Sequence, residues 1–400
     1  MQFSSCTIAA ALVIGSSSTL LAQAPKPDTT NIWPAREAVV SIDAKAKPIR
    51  IGIWDSGVDT TLFAGRLARD SKGKALIRGY DSFKKRQDTP MELVPAALLA
   101  RQAELNAVTI GLDDMDTFVD SPAARAVQQR EAAMTPEARK VAEEDVGHWT
   151  SYGHGTGVAD AAMTNFDAAE LVIARMEWWH GTPPVPCWNR DLANREAESI
   201  RDLLNFLVKS GARVVNMSWG RYEQSYVTNL KQCAPALSVD ERLAIARYSV
   251  DTVRAVLRAG MMASPQVLFV GAAGNAGQTV AKANPATRLD LPNFVLVGAV
   301  NQQGNLPAFS NFGDDVTLFA NGWRIKSRLP GGEVSYGTGT SMAAPIVTNT
   351  AAKMLAVNPA LSGADLRRLL LQTADTNAKG LKLMHPAHAV DAARAARKTR

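Results

Sequence analysis

Residues 197–217 read AESIRDLLNFLVKSGARVVNM. Ile200, Leu203, Leu204, Leu207 and Val208 recur at the helical period, Gly211 stands where the helix should stop, and Val214, Val215, Asn216 and Met217 form an apolar run of strand length. A helix that feeds a buried strand is half of a β-α-β unit. The same arrangement repeats downstream. Ser238 is a cap for a helix with Leu243, Ala246, Val250, Val253 and Leu257 on one face, Gly260 is its expected end, and Val267 to Val270 is the next strand. Phe294 to Val300, Leu171 to Ile173, and the alternation Ile49, Ile51, Ile53 ending at Trp54 and Asp55 supply further strands. The expected fold is α/β, a three-layer doubly wound sheet, mostly parallel. In such sheets ligands bind beyond the carboxyl ends of the strands.

The chain has 400 residues, 46% of them apolar and 20% charged, enough for a large core and too apolar for a disordered tail. A net charge of +6 owes much to Arg394, Arg397, Lys398 and Arg400. The other Lys and Arg residues are interspersed with acids, which argues against nucleic-acid binding. No uninterrupted run is long enough to span a membrane, and three cysteines do not make a disulfide scaffold. From Thr7 to Ala24 the chain is apolar or small, with a core at Ile8 to Ile14, the pattern Ala22, Gln23, Ala24, and then Pro25, Lys26 and Pro27. This reads as an export signal lacking basic residues, and its competing reading is a buried N-terminal helix. Without Cys6 the mature chain keeps Cys187 and Cys233, which follow neighbouring strand ends and are expected to pair in an oxidising compartment.

Residues 84–147, Lys84 to Gly147, are rich in Ala, Arg, Gln and Glu, with the cap-then-Pro pairs Ser121-Pro122 and Thr135-Pro136. They read as a helical insertion, placed either as a lid on the rim of a cleft or as an appendage packed away from it.

Four sites carry the chemistry. Asp55 ends the first strand, in Asp55, Ser56, Gly57. His154 sits in Gly153, His154, Gly155, Thr156, Gly157. Asn275 sits in Gly271, Ala272, Ala273, Gly274, Asn275, Ala276, Gly277, after a strand. Ser341 sits in Gly339, Thr340, Ser341, Met342, Ala343, Ala344, Pro345, at the start of a helix running to about Leu355. A serine hydroxyl becomes nucleophilic when a neutral imidazole takes its proton and a carboxylate holds that imidazole in one tautomer. The resulting oxyanion needs donors, which a helix-start N–H and a side-chain amide provide. Taken singly, Asp55 and Asn275 also read as turn residues, His154 as a core histidine and Ser341 as an N-cap. Their joint occurrence favours the catalytic set.

In that order and with those neighbours the motifs resemble the subtilisin-like serine proteases, the subtilases, whose triad runs Asp, His, Ser. The resemblance extends from about Ile49 to Ala374 and includes Ala308 to Gly313. It implies catalysis by Asp55, His154 and Ser341 with Asn275 in the oxyanion hole, and peptide binding by Ser218, Trp219 and Gly220 opposite Ala272, Ala273 and Gly274. It also implies a domain order of signal peptide 1–24, short extension 25–48, subtilisin-like peptidase domain 49–390 and basic tail 391–400. The expected protein is a secreted or periplasmic serine endopeptidase acting on protein or peptide substrates, monomeric, with no required cofactor. A catalytically silent subtilase-fold binding module is the alternative.

Departures from the family pattern are also legible. Asp55 and His154 lie 99 positions apart, so a loop that often carries structural calcium is expected to be replaced. Ile346 follows Pro345 where a histidine is frequent, and 25–48 is too short for a folded inhibitory prodomain. Trp219, Trp178 and Trp179 read either as subsite walls or as ordinary core aromatics. The α/β-hydrolase pattern G-x-S-x-G and the metal motif H-E-x-x-H are absent.

Overall fold

The computed structural model describes residues 31–40, 47–177 and 186–398. Its strands are β1 (Ile49–Asp55), β2 (Ile77–Tyr80), β3 (Ala169–Met176), β4 (Val214–Met217), β5 (Leu268–Ala272), β6 (Phe294–Val300), β7 (Leu318–Asn321), β8 (Ile325–Arg328), β9 (Val334–Gly337), β10 (Asp375–Thr376) and β11 (Lys382–Leu383). Nine of them form one sheet in the order β10-β11-β7-β6-β5-β4-β1-β3-β2, and β8 and β9 form a separate antiparallel hairpin. Among the described residues only the β10–β11 pair of the large sheet is antiparallel. The chain order reverses beside β1, which lies between β3 and β4. The crevice beyond β1 and β4 is therefore where such a sheet offers a ligand site.

Successive side chains of a strand face opposite ways, and here both faces are apolar. Ile51, Ile53, Val214, Leu268, Val270, Val295 and Val297 belong to one core, while Trp54, Val215, Met217, Phe269, Phe294 and Leu296 belong to the other. The helices that cover them are, in order, α1 (Ala96–Leu99), α2 (Gln102–Asp116), α3 (Pro122–Ala132), α4 (Pro136–Met163), α5 (Arg190–Lys209), α6 (Glu223–Cys233), α7 (Val239–Met262), α8 (Val280–Ala283), α9 (Thr340–Val357), α10 (Gly363–Gln372) and α11 (Pro386–Lys398). The end of α4 with α9, α10 and α11 covers the first face, and α5, α6 and α7 cover the second. Helix α9 is apolar nearly all round and buried along most of its length, as a helix laid across the middle of the sheet must be.

The expected caps are present: Ser238 forms a capping box with Glu241, and Ser121 and Thr135 accept the N–H groups of Ala124 and Ala138. Gly260 does not end its helix, which continues to Met262. A side chain at Gly260 would stand 2.7 Å from Leu204 Cδ1, so glycine serves the close packing of α7 on α5. The basic stretch at the C-terminus is not a tail through Lys398: it forms the last turns of α11, where Ala389, Val390 and Ala393 are buried and Asn358 Nδ2 donates to Ala393 O at 3.0 Å. Nor does the helical insertion span 84–147. Residues 84–95 are not helical, and α4 passes through Gly147 without a break. Trp149 and Tyr152, buried against Leu98 and Leu105, hold that helix together against the roughly 1 kcal/mol cost of a helical glycine.

The insertion is docked on the β8–β9 hairpin. Asn106, fully buried, donates to Pro330 O at 2.9 Å and accepts from Trp149 Nε1 at 2.8 Å. Arg324 donates to Asp114 and to Thr117 Oγ1, each at 2.7 Å, and Ser335 Oγ donates to Asp113 at 2.5 Å. The segment before β1 is docked as well, with Lys353 Nζ donating to Ala38 O at 3.0 Å. The signal-peptide region 1–24, Trp178 and Trp179 lie outside the described residues. Among the described residues no helix is long and apolar enough to cross a membrane.

Two expectations follow. Burial pushes the Asp113 carboxyl up from its ordinary 3.8 to about 6, against the Ser335 donation and with Asp116 and Asp114 adding to the rise. A raised carboxyl contributes stability below pH 3.8 that is lost as pH rises through about 6. Asp113→Asn, which imitates the protonated form, should therefore raise stability by about 1 to 2 kcal/mol at pH 8 and by nothing near pH 3.5. Denaturant titrations at the two pH values check this, and an equal effect at both would contradict the burial argument. Cys187 and Cys233 are joined, 46 positions apart with Cα atoms 5.6 Å apart, as expected from the sequence. Reduction should lower stability by about 4 kcal/mol on chain-entropy grounds; a melting temperature indifferent to reductant would argue against the bridge.

Candidate active site

Asp55 closes β1 at the point where the sheet order reverses, and it is buried. Its Oδ1 accepts from the Ser56 N–H at 2.8 Å and faces His154 Nδ1 at 2.8 Å, while its Oδ2 is buried without a hydrogen-bond partner among the described residues. An ionised oxygen kept from water directs its field at the nearest polarisable group, which here is the imidazole. Facing a carboxylate, Nδ1 carries the ring proton, and Nε2 is left as the basic nitrogen.

His154 lies well inside α4, so its position depends on how closely that helix approaches the Asp55 turn. A side chain at Gly155 would stand 2.2 Å from Gly57 O and 3.0 Å from Asp55 Oδ1, so only glycine permits this approach. Ser56 Oγ accepts from the Gly155 N–H at 3.2 Å, and Thr156 Oγ1 accepts from the Asp59 N–H at 3.0 Å. On the other side, Gly153 packs against Pro330 of the hairpin.

Ser341 is the second residue of α9, within the first turn whose N–H groups have no helical acceptor. Pro345 has no N–H to offer the Ser341 carbonyl four residues earlier. That carbonyl instead accepts from Ser218 Oγ at 2.7 Å, and Ser218 Oγ in turn accepts from Asn216 Nδ2 at 2.9 Å. The start of α9 is thereby tied to the end of β4. Asn275, on the exposed turn after β5, is aimed by Thr340. Its Oδ1 accepts both the Thr340 N–H and the Thr340 hydroxyl at 2.8 Å, and the same hydroxyl accepts the Gly274 N–H at 2.9 Å. Oδ1 is thereby committed, and the position that a side chain at Gly339 would take lies 3.0 Å from Asn275 Nδ2 and 3.2 Å from Ser341 Oγ.

Asp55 and His154 are thus in contact, and Asn275 is joined to the start of the helix that carries Ser341, each pair beyond the end of a strand. The two segments expected to bind peptide lie beside them. Residues 218–220 follow β4 outside any strand, and Ala272, Ala273 and Gly274 lie where β5 ends. The Ser218 hydroxyl turns inward, to Ser341 O. Trp219 is buried edge-on against Trp54 with ring centroids 5.1 Å apart.

Several positioning residues escaped the sequence reading. Thr340 aims Asn275. Asn311, fully buried, accepts from the N–H groups of Ala276 and Gln278 and donates to Ala273 O, which shapes the turn bearing Asn275 and gives the stretch Ala308 to Gly313 a physical role. Arg175, in register with Asp55, donates to Thr89 O at 3.1 Å and Gln87 O at 3.0 Å and holds the strap that passes over Gly57. Thr340 was visible as a hydrogen-bonding neighbour of Ser341, whereas Asn311 and Arg175 act across sequence gaps that no local pattern spans. Behind the site, Glu196 is buried with Arg221 at 2.8 Å, Lys84 at 3.8 Å and the Tyr226 hydroxyl at 2.9 Å. Burial alone would raise its carboxyl, but Arg221 and Lys84 hold it below the ordinary value. Among the described residues no three His, Cys, Asp or Glu side chains gather so as to hold a metal ion.

The chain is 35% identical to subtilisin of Bacillus pumilus over 111 residues, which is 28% of this chain and 40% of that protein. It is 38% identical to subtilisin-like protease 1 of Trichophyton verrucosum over 116 residues, 29% of this chain and 28% of that one. The matched stretches thus span less than half the length of these relatives. The fold is similar to a solved chain of the subtilase cytotoxin SubAB, with a TM-score of 0.52 at 15% identity over 89% of this chain and 92% of that one. The PatG macrocyclase solved with a peptide gives 0.52 at 16% identity, over 87% and 92%. The model of the subtilase family matches residues 46–388, and with a mostly parallel three-layer sheet and a strand-end site of this composition, the chain belongs to that family.

Proposed function

We propose that this protein is a serine endopeptidase working through Asp55, His154 and Ser341 and an acyl-enzyme intermediate. The observation that carries the reading is the aim of Asn275. An amide with its oxygen held by two donors from Thr340, and with its nitrogen and Ser341 Oγ both bordering the space a side chain at Gly339 would take, supports a reading in which an anion forms between them. In this reading His154 Nε2 takes the Ser341 proton as Oγ attacks a peptide carbonyl, and the Asp55 carboxylate stabilises the imidazolium. Asn275 Nδ2 and the Ser341 N–H receive the oxyanion. His154 then protonates the leaving amine, the acyl-enzyme remains on Ser341, and water enters by the same route to release the acid.

The substrate binds as an extended chain along the backbone of Ser218 to Gly220, with Ala272 to Gly274 opposite. Export fits the Cys187–Cys233 bridge, because such bonds persist in oxidising compartments. The site is secreted or periplasmic in this reading and needs no cofactor.

A fluorophosphonate probe should label Ser341, and peptide mapping locates the adduct; an unlabelled folded protein would contradict the proposal. Ser341→Ala and His154→Ala should each lose about 10⁶-fold in turnover, as the corresponding losses in subtilisin do. Asn275→Ala should lose roughly 10² to 10³ in kcat with KM little changed. Thr340→Val, which removes only the hydroxyl aiming that amide, should cost about tenfold in kcat, again with KM little changed. A KM effect with kcat intact would make both residues binding elements instead.

A further inference from the structure

The two segments assigned to the substrate enclose a gap in which the side chain next to the scissile bond, on the acyl side, would lie. That gap is already filled. Asn284, fully buried just after α8, reaches across it: its Oδ1 accepts from the Arg221 N–H at 3.3 Å on one wall, and its Nδ2 donates to Ala272 O at 3.3 Å on the other. The Asn284 amide thus occupies the space between the two walls and is hydrogen-bonded to both. Any side chain at Gly220 would meet Asn284 Oδ1 at 2.5 Å, so the amide lies flat against that wall. Tyr222 closes the space further. It follows the first wall in sequence, yet its hydroxyl lies 3.3 Å from the side-chain position of Gly274 in the second. Burial raises the Tyr222 phenol above its ordinary value and keeps it a neutral filler. Trp219, the large side chain of the first wall, is turned away into the core.

We infer that Asn284 and Tyr222 determine specificity by closing the primary pocket, so that the residue contributing the attacked carbonyl is glycine, alanine or serine and not a large apolar or charged residue. This rests on the proposed peptidase reading and names its substrate class. A closed gap can only accept a large side chain by displacing Asn284, which would leave the buried Arg221 N–H and Ala272 O unpaired.

The test is a fluorogenic peptide series that differs only at that position (Gly, Ala, Ser, Leu, Phe, Lys), with kcat/KM measured for the wild-type chain. Ala should exceed Leu and Phe by about tenfold to a hundredfold. In Asn284→Gly and in Tyr222→Ala the Phe-to-Ala ratio should rise about tenfold. Equal wild-type rates on Ala and Phe overturn the inference even if neither variant folds. Folded variants that keep the wild-type ratio overturn the roles of these two residues. Labelling of Ser341 with cleavage after large residues refutes the closure alone, whereas a chain that neither labels nor cleaves refutes the peptidase reading and this inference with it.

Discussion

The contact on which the site depends is the approach of α4 to the Asp55 turn, where the Gly155 α-carbon leaves no room for a methyl group beside Gly57 O. A bulkier residue would push the helix away and lengthen the 2.8 Å contact between His154 and Asp55. It would also disturb Thr156, which holds Asp59, and Gly153, which touches the hairpin that leads to Ser341. A long helix on one face, the end of a central strand and a hairpin beyond the sheet thus share one point of close packing. Interiors packed to crystal-like density transmit such displacements instead of absorbing them.

The second half of the site is organised by a missing hydrogen bond. Pro345 frees the Ser341 carbonyl, Ser218 takes it, and Asn216 and Thr348 continue the chain into the core, where Thr348 Oγ1 donates to Asn216 Oδ1 at 3.1 Å. A defect that would cost an isolated helix stability becomes the join between α9 and β4. Thr340 performs the matching join to the turn after β5. Buried charges surround this frame: Arg175 beneath the strap over Gly57, and Glu196 with Arg221 and Lys84 behind residues 218–220. Such ions contribute little net stability. They hold irregular backbone in place where no strand or helix can.

The insertion shows how sequence expectation and structure parted. Composition revealed helices between Asp55 and His154, and the caps at Ser121 and Thr135 are where the cap-then-Pro pairs placed them. Its boundaries were not legible, because α4 joins the insertion to the helix bearing His154 and draws its continuity from Trp149 and Tyr152 packing on Leu98 and Leu105. The choice between lid and appendage was resolved by neither pattern: Asn106, Asp113 and Asp114 bind the hairpin that leads to Ser341, a contact between residues more than two hundred positions apart.

Periodicity, caps and glycine placement are local properties, and from them came the parallel sheet, its strand ends and the four chemical residues, since each depends on neighbours a few positions away. The spatial relations between those residues are not local. Asn275 has its oxygen held by Thr340, the Asn275 turn has its shape from Asn311, and Asn284 joins Arg221 N to Ala272 O across two strands' ends. From its position in the chain Trp219 read equally as a subsite wall or a core aromatic, and its ring is buried against Trp54, on a different strand. A side chain's direction follows from what the fold brings against it, which no single stretch of sequence contains.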